Sequence, residues 1–137
     1  MSRPDVVAAA RNLIGTPFRH QGRLPGIGLD CAGLVVVIAH ELGIPHRDVA
    51  GYGRRPFQGQ LEAVLASQPG LQSVAVADLV EGDLLLMRFG RDPQHLAIHA
   101  GGTIIHAAEE FGKVAEHRLD DTWRRRIVAA YRFTESA

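Results

Sequence analysis

The spacing of apolar residues changes once along this chain, and that change limits the folds open to it. Before about residue 70, apolar side chains recur every three or four positions, the period of an amphipathic helix. From Val74 onward they run in short blocks or alternate, as strands do. Helices first and strands after, with no helix between successive strands, is an α+β order with an antiparallel meander. The expected fold class is therefore α+β, with N-terminal helices packed on a small antiparallel sheet.

Val6, Val7, Ala10, Leu13 and Ile14 place a first helix over residues 4–14, closed by Gly15-Thr16-Pro17. Residues 18–29 read as a loop, punctuated by Gly22, Pro25, Gly26 and Gly28. Leu34, Val35, Ile38 and Leu42 share one face of a second helix that stops at Gly43. Residues 46–59 are irregular, and Leu61, Val64 and Leu65 mark a short helix before Pro69-Gly70. Strands are expected at 84–89, 95–100, 103–107, 114–119 and 127–133.

With 137 residues, 46% apolar and 22% charged, the chain suits one globular domain over 1–137. Fifteen basic residues balance fifteen acidic ones, which argues against nucleic acid or an anionic membrane as the main partner. Arg124-Arg125-Arg126 is the one dense basic run and reads as a solvated turn. No stretch approaches the ~18 apolar residues of a membrane span. The N-terminus shows no apolar signal segment, so synthesis in the cytoplasm is expected. A single cysteine cannot form an internal disulfide.

That cysteine, Cys31, heads the second helix behind Gly28-Leu29-Asp30. Asp30 suits the N-cap, which places the thiol in the first helical turn on the side of Leu34. Unpaired N–H groups and the positive end of the helix dipole favour the nucleophilic thiolate there. The carboxylate of Asp30 opposes it. A small buried hydrophobe is the alternative reading of a lone cysteine. The preceding loop carries His20 and Gln21, polar side chains within chain reach of the thiol.

A base for that thiol is sought in the strands. Gly101-Gly102 is a two-residue hairpin signal. It pairs Ala100 with Thr103, Ile98 with Ile105 and Ala97 with His106. Leu96, Ile98 and Ile105 then share one sheet face, and His95, Ala97, His99, Ile104 and His106 the other. His95 and His99 are both diagonal to His106, within reach of long side chains. Three imidazoles on one face suit a base oriented by a second ring, a zinc site with Cys31 as fourth ligand, or unrelated surface histidines. Spacing does not choose among them.

Four stretches, in order, resemble the NlpC/P60 cysteine peptidases. Gly28-Leu29-Asp30-Cys31-Ala32-Gly33-Leu34-Val35 resembles that family's Asp-Cys-Ser-Gly motif, and Gly15-Thr16-Pro17-Phe18 its Gly-Thr-Pro-Tyr. His95-Leu96-Ala97-Ile98 and Ile105-His106-Ala107 resemble its two histidine strands. His20-Gln21 and the stretch from Trp123 to Phe133 are similar to the phage-tail branch. The resemblance implies a papain-like NlpC/P60 fold and a Cys31–His95–His106 triad without metal or other cofactor. It implies hydrolysis of peptidoglycan stem peptides, commonly between D-Glu and the diamino acid, by a thiol protease acting at the cell wall after delivery by a phage tail or tail-like particle. Peptidoglycan peptides and phage tail proteins are the partners it implies. Ala32 departs from the common Ser. Phe18 stands where many members have a Tyr on the oxyanion side, leaving His20 or Gln21 to fill that role. Phe18, His20, Gln21 and Asp30 are thus candidates for the oxyanion or substrate side.

Overall fold

In a computed structural model of the chain, the described residues are 3–48, 60–90 and 92–134. Most of the irregular stretch expected at 46–59 lies outside them.

Helix α1 (Arg3–Arg11) buries Val6, Val7, Ala9 and Ala10. It ends earlier than its apolar spacing predicts. Leu13 N–H bonds Ala10 O at 3.0 Å and Ile14 N–H bonds Arg11 O at 3.2 Å, three-residue steps that tighten and close the last turn. Leu13 stays buried through that turn, while Ile14 is exposed. The expected loop over 18–29 contains a minimal hairpin of β1 (Arg23–Leu24) and β2 (Gly28–Leu29). Strands of two residues show no period, so patterning does not reveal them.

Helix α2 (Cys31–Glu41) buries Gly33, Leu34, Ile38 and Ala39. It stops where Gly43 takes a left-handed φ of 69° and Ile44 N–H reaches back to Ala39 O at 2.8 Å. Helix α3 (Gln60–Ala66) buries Leu61 and Leu65.

The main sheet has the order β3-β8-β4-β5-β6-β7. Its strands are β3 (Leu71–Val74), β4 (Leu84–Phe89), β5 (Asp92–His99), β6 (Thr103–Ala108), β7 (Lys113–Arg118) and β8 (Ile127–Phe133). Strands β4 to β7 form the expected meander, but β8 crosses back to lie between β4 and β3. Helix α4 (Asp121–Arg124), which short-range patterning also misses, opens that crossing. The reason lies in β4. Leu84, Leu85, Leu86 and Met87 are all fully buried, so the strand needs cover on both faces and a neighbour on both edges.

One sheet face packs on the helices: Leu84, Leu86, Leu96, Ile98 and Ile105 meet Val6, Leu34 and Ile38. The other face carries Leu85, Met87, Ala97 and Ile104 beneath Leu119 and Trp123. The β5–β6 hairpin keeps the expected register. Ile98 pairs with Ile105, His99 with Ile104, and Ala100 N–H bonds Thr103 O at 2.9 Å. No helix among the described residues is long and apolar enough to cross a membrane.

Candidate active site

Asp30 starts α2 in an extended conformation, φ −100° and ψ −173°. Its Oδ1 accepts from Gly33 N–H at 2.8 Å and from the Arg23 guanidinium at 3.0 Å. Its Oδ2 accepts from Gln21 N–H at 2.8 Å. One buried carboxylate thus ties the loop before the helix to the helix start, and its lone pairs are directed at backbone and guanidinium. Asp30 is thus the N-cap of α2, and it also lines the cleft that holds Cys31. Gly33 lies under that loop. A Cβ at this position would run into Gly22 O, so only glycine allows the approach.

Cys31 follows as the first residue of α2. It is half-buried, on the wall of a cleft of about 750 Å³ shared with His95, Leu96 and His20. The nearby backbone N–H groups of Leu96 and Ala32 favour its thiolate. Burial, reinforced by the neighbouring Asp30 charge, pushes the thiol up to about 12. The two N–H donors and Arg23 act in the opposite direction and lose. The helix start alone favours a thiolate; in the folded site desolvation decides, and the resting group is a thiol.

His95 is buried near the start of β5, opposite Met87 and beside a register shift in β4 between Met87 and Arg88. Its Nε2 lies 2.6 Å from His106 Nδ1. His106, fully buried on β6, places its own Nε2 2.7 Å from Nε2 of His117 on β7. His117 Nδ1 lies 3.0 Å from the Arg118 carbonyl oxygen. The three rings form one hydrogen-bonded file across three adjacent strands. Burial pushes His95 down to about 3, with Arg126 and His117 adding to the shift. It pushes His106 down to about 2, helped by His95 and His117. Both rings are therefore neutral.

Aromatic rings wall the file. Phe89 stacks on His95 at 4.8 Å and 19°. Trp123 lies against His106 at 5.1 Å and His117 at 4.8 Å, and Phe111 meets His106 at 5.5 Å. The Arg126 guanidinium sits 4.5 Å over Trp123 and 4.9 Å over Phe89, so the basic run is not simply a solvated turn.

The remaining candidates separate. Phe18 and His20 line the cleft, whereas Gln21 spends its backbone N–H on Asp30 with a φ of 60°. His99 is buried elsewhere, with Nδ1 3.0 Å from the Val80 carbonyl. Among the described residues no group of three or more His, Cys, Asp or Glu side chains could hold a metal ion. His117 is absent from the site as read from sequence. Its signal was present: His106 pairs with Ala115, so His117 is diagonal to His106 on β7 as His95 is on β5. Extending the register requires knowing that β6 and β7 pair, and the four residues between them carry no two-residue turn signal.

Residues 15–132 match the NlpC/P60 family. The fold resembles the NlpC/p60 domain of the peptidoglycan hydrolase SagA, at 26% identity over 95% of this chain and 97% of that one, with a TM-score of 0.67. It also resembles an NlpC/P60 family protein from Bacillus cereus, at 21% identity over 97% of this chain but 40% of that one, with a TM-score of 0.70. A third structure is RipD from Mycobacterium tuberculosis, described as a non-catalytic NlpC/p60 domain adapted to peptidoglycan binding. It is 19% identical over 94% of both chains, with a TM-score of 0.59. No curated protein matches the chain. A match over nearly the whole chain, on the α+β frame that brings Cys31 and His95 to one cleft, makes this chain a member of the NlpC/P60 family.

Proposed function

We propose that the chain is a cysteine peptidase that hydrolyses peptidoglycan stem peptides at the bond between D-Glu and the diamino acid. The observation that carries this reading is the His95 Nε2–His106 Nδ1 contact of 2.6 Å behind a cleft shared with Cys31. With Nε2 engaged, Nδ1 is the nitrogen His95 has left for a proton from the cleft. Cys31 Sγ attacks the scissile carbonyl carbon as its proton passes to His95 Nδ1. The tetrahedral oxyanion is met by the Cys31 N–H, which as the first donor of α2 has no carbonyl one turn back inside the helix. His20, on the same cleft, supplies a second donor in place of the missing Tyr hydroxyl at Phe18. His95 then returns the proton to the leaving amine, and water releases the acyl group.

The similarity of the Gly-Thr-Pro-Phe-Arg-His-Gln stretch and of residues 123–133 to the phage-tail branch supports delivery to the cell wall by a phage tail or tail-like particle, with tail proteins as partners. Incubation with purified muropeptides, followed by mass analysis, tests the activity. Wild-type protein is expected to yield two fragments gaining one water between them, and Cys31→Ala none. Binding without cleavage would place the chain with the non-catalytic domains of this fold.

A further inference from the structure

We propose that His117 is a positioning residue: through His106 it sets which nitrogen of His95 carries the proton, and so keeps a lone pair on His95 Nδ1 for the thiol. The functional half of this inference rests on the peptidase reading above.

The file of rings ends on a group with one possible role. The Arg118 carbonyl oxygen, 3.0 Å from His117 Nδ1, accepts and cannot donate, so His117 Nδ1 carries the proton. Above the pH range in which imidazoles take up a second proton, a ring has one donor and one acceptor, which leaves His117 Nε2 with a lone pair. His106 Nε2, at 2.7 Å, must then donate, and His106 Nδ1 becomes an acceptor. His95 Nε2, at 2.6 Å, donates in turn. Nδ1 of His95 is left unprotonated. Each assignment follows from the one before it, starting at a backbone atom on β7.

Burial keeps His95 and His106 neutral, so neither ring escapes the ordering by holding two protons. The rings are also held in place: Trp123 at 4.8 Å and Phe111 at 5.3 Å flank His117. Without an acceptor at position 117, His106 loses the reason to donate from Nε2. It can then donate from Nδ1 to His95 Nε2, and the proton of His95 moves to Nδ1, where it blocks transfer from the thiol. A backbone carbonyl three rings away thus orients the base.

The test uses the whole chain with 15N-labelled histidine at pH 8, where an unperturbed imidazole is neutral. Long-range 1H–15N correlations distinguish the tautomers. Expected are Nδ1–H for His117, the less common form of a free ring, and Nε2–H for both His106 and His95. Nε2–H on His117, or Nδ1–H on His95, overturns the proposal whatever the muropeptide assay shows. His117→Gln keeps an acceptor oxygen, and His117→Phe keeps the ring packing but no acceptor. Given folded variants, His117→Phe is expected to move His95 towards Nδ1–H and lower kcat about tenfold or more with KM little changed, since a wrongly protonated base is costly. His117→Gln is expected to hold His95 in the Nε2–H form and restore most of kcat. Full activity with an unchanged His95 tautomer in His117→Phe would show that the third ring only packs.

Discussion

In the proposed mechanism one proton passes from Cys31 to His95, and burial of both groups keeps it on sulfur at rest. Burial disfavours either charge alone, while each charge would stabilise the other, so transfer is a coupled event triggered by attack. The iodoacetamide alkylation rate of the free protein is therefore expected to climb steadily from pH 6 to pH 9. A plateau across that range would indicate a preformed thiolate–imidazolium pair. Cys31→Ser is expected to fold normally and lose turnover, because a hydroxyl is a far weaker acid than a thiol; wild-type rates in that variant would end the cysteine mechanism. Among the histidines, His95→Ala is expected to cost about 10²–10⁴-fold in kcat, and His106→Ala less. His99→Ala is expected to leave turnover near normal and cost about 0.5–1.5 kcal/mol of stability, since it removes one of two hydrogen bonds to the Val80 carbonyl, the Asp83 N–H keeping the other. Thermal melts and kinetics on the three variants separate these effects. A helix start and a Gly-Gly hairpin are local signals, so Cys31 and the candidates His95, His99 and His106 were legible in the chain; it was the family resemblance that chose His95 and His106. His117, Phe89 and Trp123 were not legible, because their meeting depends on strands joined outside that hairpin.

At the scale of elements, the start of α2 is clamped from three sides. Asp30 caps it, Arg23 bridges Asp30 and Asp48 at 3.0 Å, and the Gly22 carbonyl presses on Gly33. Gly33→Ala is expected to push the β1–β2 hairpin off the helix and cost about 1–3 kcal/mol, as overpacking does. Because that hairpin sits beside the cleft, activity is expected to fall with stability. Equal melting temperatures for Gly33→Ala and wild type would show the loop to be free to move. The contrast between α2 and β8 shows what sequence patterning can carry. Helix α2 announces itself through a cap, an apolar face and a terminal glycine, all between residues 30 and 43. Strand β8 was recognisable as a strand at its true limits, Ile127–Phe133. Its place between β3 and β4 was not, because that is set by the buried edge of β4 some forty positions earlier. The side chains that fix it are equally distant in sequence: Arg132 on β8 reaches Asp83, just before β4, at 2.8 Å and 2.9 Å.

For the whole molecule, the neutral histidines make folding sensitive to acid. In the folded chain His95 refuses a proton down to about pH 3 and His106 down to about pH 2, chiefly through burial. In the unfolded chain each takes one near pH 6.5. Below that pH the unfolded state binds more protons, so stability falls as pH falls. Each ring contributes fully above its unfolded value and loses up to about 1.4 kcal/mol per pH unit below it. Two rings together approach about 2.7 kcal/mol per unit, a large share of the roughly 5–15 kcal/mol that holds a domain of this size. Carboxylates titrate nearer pH 4, so the window from pH 6.5 to pH 5 isolates the imidazoles. Urea unfolding is expected to give nearly constant stability between pH 8 and pH 7. A loss approaching that slope is expected between pH 6 and pH 5. His106→Asn keeps a polar side chain in the file but removes one titrating ring, and is expected to halve the slope. A wild-type curve that stays level down to pH 5 would mean that the folded chain accepts protons in this window. The file of neutral rings behind Cys31 would then not describe the resting protein.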